Sequence, residues 1–399
     1  MDTIKVTIDS DKNLISVWNN GKGIPVEIHK KEKIYVPELI FGHLLTSSNY
    51  DDTQKKVTGG RNGYGAKLCN IFSTEFTVET ADRASGQKFK QVFKNNMSIR
   101  SNPTITPNKK KEEYTMVSFR PDLAKFHMET LDEGITALFK KRVYDLAGTV
   151  MGVKVFLNGT RIKIKNFKEY VEMYLKASGD LKTAKKGKGK SEASPVPGEG
   201  VDDAVVAKPK PLLIHEVVNS RWEIAFAVSE GQFQQVSFVN SICTVKGGTH
   251  VNHVAEQITN RLIDVIKRKA KNNTIKGFQI KNHMWLFVNC LIENPTFDSQ
   301  TKESMTLRVS AFGSRCEPSE TFYRKILRSE IVENVLSWSQ FKLTQQLKKS
   351  DGSRSQRITG IDALEDATCA GTREAHKCTL FLTEGNSARS LAMCGFEII

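Results

Sequence analysis

The sequence predicts an α+β fold with two sheet-containing domains joined by a polar linker. Apolar residues alternate with polar ones over residues 4–18, 76–92 and 114–119, a pattern typical of antiparallel strands. Residues 131–150 instead place their apolar side chains at helical spacing, which predicts an amphipathic helix that packs on those strands. Residues 177–211 are rich in Lys, Gly and Pro, and this composition predicts a disordered linker or insert.

The composition argues against a membrane protein and favours polyanionic partners. No stretch approaches the ~18 consecutive apolar residues of a transmembrane helix, and no signal peptide is visible at the first residues. The net charge of +15 favours nucleic acid or a nucleotide as partner, although part of the excess lies in the linker. The seven cysteines form no Cys-x-x-Cys pair, which indicates reduced thiols in an intracellular compartment.

The first candidate binding loop follows the predicted hairpin and reads Asn-Asn-Gly-Lys-Gly-Ile-Pro over residues 19–25. The Asn19 side chain can donate to and accept from a base edge, while Gly21 and Gly23 allow a planar ligand to approach the backbone. The alternative is a simple Asn-Gly turn between strands.

The second candidate loop is the glycine-rich stretch 59–68, which opens a predicted helix. Glycines, exposed N–H groups at a helix N-terminus and the charges of Arg61 and Lys67 are the parts of a phosphate cradle. No Gly-Lys-Ser/Thr follows, so the stretch is not a Walker A loop. The hydroxyl-rich loop 46–52 can bind ribose or phosphate, and the charged residues 49–59 suit a lid. The alternative is a flexible surface loop.

A second domain is predicted to begin near Leu212, with strands at 222–228 and 235–240, a helix at 251–266 and a central strand at 283–292. This order predicts a βαβ element, right-handed if its strands are parallel neighbours. The basic run at 267–271 suits the C-terminal end of the helix dipole, or it can hold the phosphates of a duplex.

Two further stretches carry candidate chemistry. Lys302 ends a polar loop after the central strand, where it can reach an anion in the neighbouring domain, although an exposed loop lysine is the alternative. Residues 319–348 are predicted to be largely helical. Residues 378–388 read as a strand, a Glu-Gly turn and a helix start, which is typical of the first βα of a further domain.

Five ordered motifs together resemble eukaryotic DNA topoisomerase II. The resemblance covers nearly all of the chain outside 177–211. The motifs are Asn-Asn-Gly-Lys-Gly-Ile-Pro at 19–25, Leu-Thr-Ser-Ser-Asn-Tyr at 45–50, Gly-Gly-Arg-Asn-Gly-Tyr-Gly-Ala-Lys at 59–67, Asn-Pro-Thr-Phe-Asp-Ser-Gln-Thr-Lys at 294–302 and Leu-Thr-Glu-Gly-Asn-Ser-Ala at 382–388.

The resemblance implies a Bergerat-type ATP-binding α/β sandwich of the gyrase, MutL and histidine-kinase kind, followed by a transducer domain and the start of a TOPRIM domain. It implies ATP and Mg²⁺ as cofactors, double-stranded DNA as partner, a homodimer and nuclear localisation. The implied segments are an ATP-binding domain at 1–175, a linker at 176–211, a transducer at 212–375 and a TOPRIM start at 376–399.

The resemblance also implies site residues. Lys302 and Glu384 would be catalytic, and Glu384 would bind the metal of the TOPRIM domain. A basic patch of Lys267, Arg268 and Lys269 would face DNA. The nucleotide would be bound by Asn19, Ser47, Ser48, Asn49, Gly60, Arg61, Asn62, Gly63, Tyr64, Gly65, Ala66, Lys67, Gln300, Thr301 and Lys302.

The chain departs from the family pattern in several places. The helix with the water-activating glutamate and the Mg²⁺-holding asparagine, and the N-terminal strap, would precede residue 1. Asn386 stands where the family has Asp, and the DNA-attacking tyrosine would lie beyond residue 399. We therefore expect a topoisomerase II ATPase and transducer region, with a nucleotide- and DNA-binding remnant without turnover as the alternative. A MutL-like ATPase is disfavoured by Gln300–Lys302 and by Glu384–Gly385.

Overall fold

The computed structural model describes the chain except for residues 45, 48, 50–52, 61, 188–211, 230, 270–274, 351–363 and 397–399. The chain divides into two compact units, Met1–Val335 and Leu336–Ile399. Both predicted sheets lie in the first unit. Among the described residues, no helix is long and apolar enough to cross a bilayer.

The first sheet has nine strands and confirms the alternating patterns of the sequence. Its strands are β1 Thr3–Asp9, β2 Leu14–Asn19, β3 Ser73–Asp82, β4 Gln87–Lys94, β5 Ile99–Arg100, β6 Thr104–Pro107, β7 Tyr114–Pro121, β8 Lys154–Leu157 and β9 Thr160–Arg161. Their order is β5-β4-β3-β7-β2-β1-β8-β9, and β6 pairs with β4. The predicted hairpin is confirmed, because β1 and β2 pair antiparallel with Val6 opposite Val17.

Helices α1 Val36–Gly42, α2 Tyr64–Ile71 and α3 Glu133–Thr149 pack against this sheet. A 3₁₀ turn spans Leu123–Phe126, and a fourth helix, α4 Phe167–Gly187, follows β9. The predicted amphipathic helix is α3, whose first turn is capped by the Asp132 carboxylate, which accepts from the Ile135 N–H at 2.8 Å. One cluster, with Val143 of α3, covers the β1–β2 end of the sheet. A second, with Phe41 of α1, covers β3 and β4. Phe119 belongs to both clusters, so they share a face.

An open strip runs between these two clusters at the centre of the sheet. Val17 stands directly opposite Val6 and Val117, and directly opposed residues point to the same face. Val6 is buried, whereas Val17 is 37% exposed. An apolar side chain left open in the middle of a sheet marks the floor of a cleft between the helices.

The second sheet follows the predicted order of elements. Its region contains β10 Ile214–Asn219, β11 Trp222–Val228, β12 Gln234–Val239, β13 Ile242–Cys243, β14 Gly247–Gly248, α5 Thr249–Lys269, α6 Gly277–Lys281, β15 Met284–Cys290, β16 Ser304–Met305, a 3₁₀ turn at Val309–Ala311, α7 Glu320–Leu327 and α8 Ile331–Ser350. The order β10-β11-β15-β12-β13 confirms β15 as a central strand. Strands β12 and β15 are parallel neighbours connected through α5, which confirms the βαβ element; its hand stays a prediction.

Helix α4 packs on the second sheet and not on the first. Phe167, Tyr170 and Val171 lie in one buried cluster with Ala225 and Phe287. Since this apolar face continues through Leu175, the helix runs across the predicted boundary at 175 and on to Gly187. Residues 188–211 of the predicted linker lie outside the described residues. The division into four segments stays a prediction.

The second unit, described by itself, begins within α8 and also has a 3₁₀ turn at Ala375–Lys377 and a helix, α9, at Gly385–Phe396. The helix start at Gly385 agrees with the sequence. The strand predicted at 378–383 is not formed, because nothing in the described part of the chain pairs with it. Its side chains Leu380, Phe381 and Leu382 are exposed. A strand needs a neighbouring strand to complete its backbone hydrogen bonds, so an apolar pattern alone does not make a strand.

Candidate nucleotide-binding site

A polar row crosses three neighbouring strands beside the open strip. Asn19 of β2 stands opposite Thr115 of β7, which stands opposite Thr80 of β3. The two threonine hydroxyl oxygens are 3.1 Å apart, and the Asn19 amide donates to the Thr115 carbonyl at 3.5 Å. Thr80 is fully buried, so the partly exposed Asn19 and Thr115 give one end of the cleft floor hydrogen-bonding groups that suit a base or a ribose.

The loop after Asn19 is pressed against this row. A Cβ atom at Gly23 would lie 1.9 Å from the carbonyl oxygen of Ala81, so only glycine fits there without a backbone shift. The next residue, Ile24, donates its N–H to the Thr80 hydroxyl at 3.0 Å. Ile24 also packs in the same cluster as Cys69 of α2, so the loop and α2 border one part of the cleft.

The start of α2 offers a cluster of N–H donors. Gly63 precedes the helix with a φ of +68° and makes no side-chain cap. The first-turn N–H groups of an uncapped helix are open to an anion, and the helix dipole favours negative charge there. The first turn carries small, exposed residues at Gly65 and Ala66, so a ligand can reach the backbone.

Lys67 lies beneath this helix start and is only 2% exposed. Its ammonium group donates to the carbonyl oxygen of Thr46 at 2.6 Å. Burial lowers the pKa of Lys67, because desolvation disfavours the charged form. Among the ion pairs of the described residues, none joins Lys67 to a carboxylate. A buried ammonium of this kind beside a helix N-terminus suits a phosphate.

The loop before α2 connects to the polar loop at 46–49. The Asn49 amide donates to the carbonyl oxygen of Gly60 at 2.8 Å. The Asn49 N–H donates to the Ser47 hydroxyl at 3.1 Å. Among the other predicted binding residues, Asn62 is exposed, while Ser48 and Arg61 lie outside the described residues.

Lys302 reaches this loop from the second-sheet region. Its ammonium group donates to the carbonyl oxygen of Gly59 at 2.7 Å. The residue has a φ of +58°, and its N–H donates to the Ser299 carbonyl at 3.1 Å, so a tight turn directs it. Half-burial lowers the pKa of Lys302. The neighbouring Gln300 and Thr301 are exposed on the same turn.

The basic residues predicted to face DNA lie at the C-terminal end of α5. Lys267 and Arg268 are exposed at the C-terminal end of α5, and the side chain of Lys269 lies outside the described residues. The Thr249 hydroxyl, at the other end of this 21-residue helix, donates to the carbonyl of Leu307. At a rise of ~1.5 Å per residue, the basic C-terminal end of α5 is about 30 Å from Thr249. Glu384 is exposed in the second unit, and no group of three His, Cys, Asp or Glu in the described residues can hold a metal ion.

Sequence reasoning missed several residues that shape the site. Thr80 supports the loop after Asn19, but one threonine in an alternating strand carries no distinctive signal. Asn240 and Asn294 hydrogen-bond the segment before the glycine-rich loop. Both asparagines end strands or start loops, where a turn residue is ordinary, and their partners lie far away in sequence.

Comparison with known proteins decides the family. A family model described as "Histidine kinase-, DNA gyrase B-, and HSP90-like ATPase" matches residues 1–124, and one described as "DNA gyrase B" matches residues 166–354. DNA topoisomerase 2 of Candida glabrata is 54% identical over 399 residues, which are 100% of this chain and 27% of that protein. The chain belongs to the DNA topoisomerase II family. The family member from Saccharomyces cerevisiae is 51% identical, and the chain again spans 27% of its length.

Solved topoisomerase II structures cover most of the fold. The crystal structure of the ATPase region of Saccharomyces cerevisiae topoisomerase II has a TM-score of 0.74 and 50% identity, and the match covers 84% of this chain and 80% of that one. The ATPase and transducer domains of topoisomerase II from Balamuthia mandrillaris give a TM-score of 0.75 at 43% identity, with coverage of 88% and 81%. The predicted gyrase-like α+β architecture is therefore confirmed.

Proposed function

We propose that this chain binds ATP in the cleft that borders Asn19, Lys67 and Lys302, and that the nucleotide sets the arrangement of the two sheets. The hydrogen bond from Lys302 to Gly59 carries the proposal, because it brings a cation of the second-sheet region onto the glycine-rich loop. A phosphate placed there would contact both regions at once. Loss of that phosphate on hydrolysis would remove a charge-assisted contact.

The residues of the cleft fit the parts of a nucleotide. Asn19 suits the base or ribose, and Ser47, Ser48 and Asn49 suit the ribose and the phosphates. The N–H groups of the glycine-rich loop and of the first turn of α2 suit the β- and γ-phosphates, with Lys67 below them and Lys302 opposite. The glycine-rich loop and the switch turn supply the remaining residues, Gly60, Arg61, Asn62, Gly63, Tyr64, Gly65, Ala66, Gln300 and Thr301.

Mg²⁺ is proposed only as a counter-ion of the nucleotide phosphates. Such ions commonly take most of their ligands from phosphates and water. The described residues hold no group of three His, Cys, Asp or Glu that fits a protein-only metal site, and Glu384 is exposed.

The wider function is proposed from the family. The relatives are DNA topoisomerases, and this chain spans 27% of two of them. We propose that it acts as the ATPase and transducer part of an ATP-dependent DNA clamp. Its partner would be double-stranded DNA, its assembly a homodimer and its place the nucleus. The alternative is a remnant that binds nucleotide and DNA without turnover.

Phosphate release from ATP, measured with and without plasmid DNA, tests the proposal. Release that rises with DNA supports the ATPase and transducer function. Tight binding of a non-hydrolysable ATP analogue without release favours the remnant. Absence of both binding and release would overturn the nucleotide site itself.

The basic patch is tested separately through salt dependence. Each phosphate contact contributes about −0.9 to the slope of log K against log salt for duplex DNA. The double substitution Lys267→Glu and Arg268→Glu should therefore reduce that slope by about 2. The matched control is Arg324→Glu with Lys325→Glu, an exposed pair near the end of α7. An equal loss in both variants would show only a general charge effect and would contradict the patch.

A further inference from the structure

The segment of residues 54–60, which precedes the glycine-rich helix start, is hydrogen-bonded to the second-sheet region at four residues. Asn294 makes three of these bonds. Its backbone N–H donates to the Lys56 carbonyl at 2.9 Å, and its side-chain oxygen accepts from the Lys56 N–H at 3.1 Å. Its side-chain amide donates to the Gln54 carbonyl at 3.1 Å. One asparagine thus pairs with the segment much as a neighbouring strand would.

Asn240 holds the same segment at Thr58, four residues after Gln54. Its side-chain amide donates to the Thr58 carbonyl at 3.1 Å and to the Ile292 carbonyl at 2.9 Å. Its side-chain oxygen accepts from the Ile292 N–H at 2.8 Å. The two bonds to Ile292 fix the side chain in its own region, so the remaining amide hydrogen is already directed at the segment.

Packing at Gly59 supports the same attachment. A Cβ atom at Gly59 would lie 2.6 Å from Cδ1 of Ile242, so the segment passes close to the turn between β12 and β13. Lys302 donates to the carbonyl of this same Gly59. The Lys55 ammonium also lies 3.7 Å from the Glu293 carboxylate, although Lys55 is largely exposed and this pair adds little.

We propose that Asn240 and Asn294 are positioning residues that clasp segment 54–60 to the second-sheet region, so that this segment and the Lys302 turn move as one body. Nucleotide closure then acts between this body and the α2 side of the cleft, where Asn49 holds Gly60. The mechanical consequence for ATP rests on the proposed function, whereas the clasp itself does not.

The chemistry of both positions requires asparagine. Each side chain donates and accepts in the same contact, which a carboxylate or a small apolar group cannot do. Each backbone also has a positive φ, +51° at Asn240 and +42° at Asn294. Asparagine tolerates this conformation better than most residues. Substitution by alanine therefore removes these hydrogen bonds and puts no other donor or acceptor in their place.

Hydrogen exchange of the nucleotide-free full chain tests the clasp. The double variant Asn240→Ala with Asn294→Ala should raise amide exchange across residues 54–60 at least tenfold. The matched control is Asn158→Ala. Asn158 also has a positive φ, of +48°, and its side chain accepts from the Ile8 N–H at 2.8 Å and donates to the Ile8 carbonyl at 3.1 Å. That control should leave exchange at 54–60 unchanged. Unchanged exchange in the double variant overturns the proposal.

A conservative variant keeps the test valid if the double variant unfolds. Asn294→Asp retains the oxygen that accepts from Lys56 and loses the donor to Gln54. Exchange at Lys56 should then rise less than in Asn294→Ala, and equal exchange in the two variants would count against the clasp. Binding of a non-hydrolysable ATP analogue is measured in parallel. No binding by the unsubstituted chain would contradict the proposed function, while the exchange result would still decide the clasp.

Discussion

The ammonium group of Lys302 donates a hydrogen bond of 2.7 Å to the carbonyl oxygen of Gly59, across 243 residues of sequence. This bond joins the turn after the central strand of the second sheet to the glycine-rich loop beside the first. A lysine ammonium has three donors, so the bond to Gly59 leaves capacity for an anion. The cleft is therefore a composite of both regions.

The turn at Gly63 should be essential for the phosphate cradle. Gly63 and Gly86 have nearly the same φ, +68° and +65°, but a Cβ atom at Gly63 would lie 2.4 Å from the Thr46 carbonyl, whereas one at Gly86 would meet nothing within 4 Å. Gly86→Ala should cost about 1–2 kcal/mol of unfolding free energy from its backbone conformation alone. Gly63→Ala should cost more and should weaken binding of an ATP analogue at least tenfold. Calorimetric binding and chemical denaturation measure both, and equal behaviour of the two variants would contradict the cradle.

Lys67→Met should separate binding from stability. The buried Lys67 ammonium bonds to one carbonyl, so its removal should leave the unfolding free energy unchanged or slightly higher. Loss of a charged hydrogen bond to phosphate, about 1.5–3 kcal/mol, should weaken analogue binding about 10- to 100-fold. The contrasting control is Lys141→Met, which removes the 2.8 Å partner of the buried Asp145 carboxylate and leaves it with the Tyr170 hydroxyl and the more distant Arg142, so it should destabilise the chain. Unaltered analogue affinity in Lys67→Met would remove Lys67 from the site.

His250 should make stability depend on acid pH. It is fully buried, its Nε2 lies 3.1 Å from the Thr244 hydroxyl, and its Nδ1 has no hydrogen-bond partner among the residues that the structure describes. Burial lowers the pKa of His250 from 6.5 to about 3. The unfolded chain therefore takes up a proton that the folded chain refuses. The stabilisation is complete above pH 6.5 and is lost as the pH falls from there toward 3, by about 1.4 kcal/mol per pH unit for one proton.

The variant His250→Gln isolates this effect. Its unfolding free energy should fall less steeply between about pH 6 and pH 4, by the slope of one proton. Denaturant titrations of both proteins at several pH values give the comparison. Parallel curves for the two proteins would show that His250 is not the titrating group.

The parts of the fold that sequence could predict are those governed by local pattern. The β1–β2 hairpin and the central position of β15 follow from alternation and from continuous apolar runs. The end of helix α4 at Gly187 could not be predicted, because its polar second half resembles the linker while its apolar first half packs on Phe287, far along the chain. The segment 378–383 has strand composition but belongs to no sheet among the described residues. Composition specifies what a segment can pair with, not whether a neighbour is present.

The candidate site also has residues that the sequence could predict and residues that it could not. Glycine spacing and basic residues predict a phosphate cradle around Lys67, which stays a prediction. The loop position of Lys302 indicates that it can reach the neighbouring region, where it bonds to Gly59. Asn240 and Asn294 could not be predicted, because their hydrogen bonds to Thr58 and Gln54 span 182 and 240 residues. Such contacts arise only when the two sheets are already in place.

The central claim is that nucleotide bound against Lys302 controls how the two sheets are arranged. Small-angle scattering of the full chain tests this claim. Curves are recorded without and with a saturating non-hydrolysable ATP analogue, for both the unsubstituted chain and Lys302→Ala. We predict that the analogue changes the scattering curve of the unsubstituted chain and leaves that of Lys302→Ala unchanged. The same analogue-induced change in Lys302→Ala would contradict the claim.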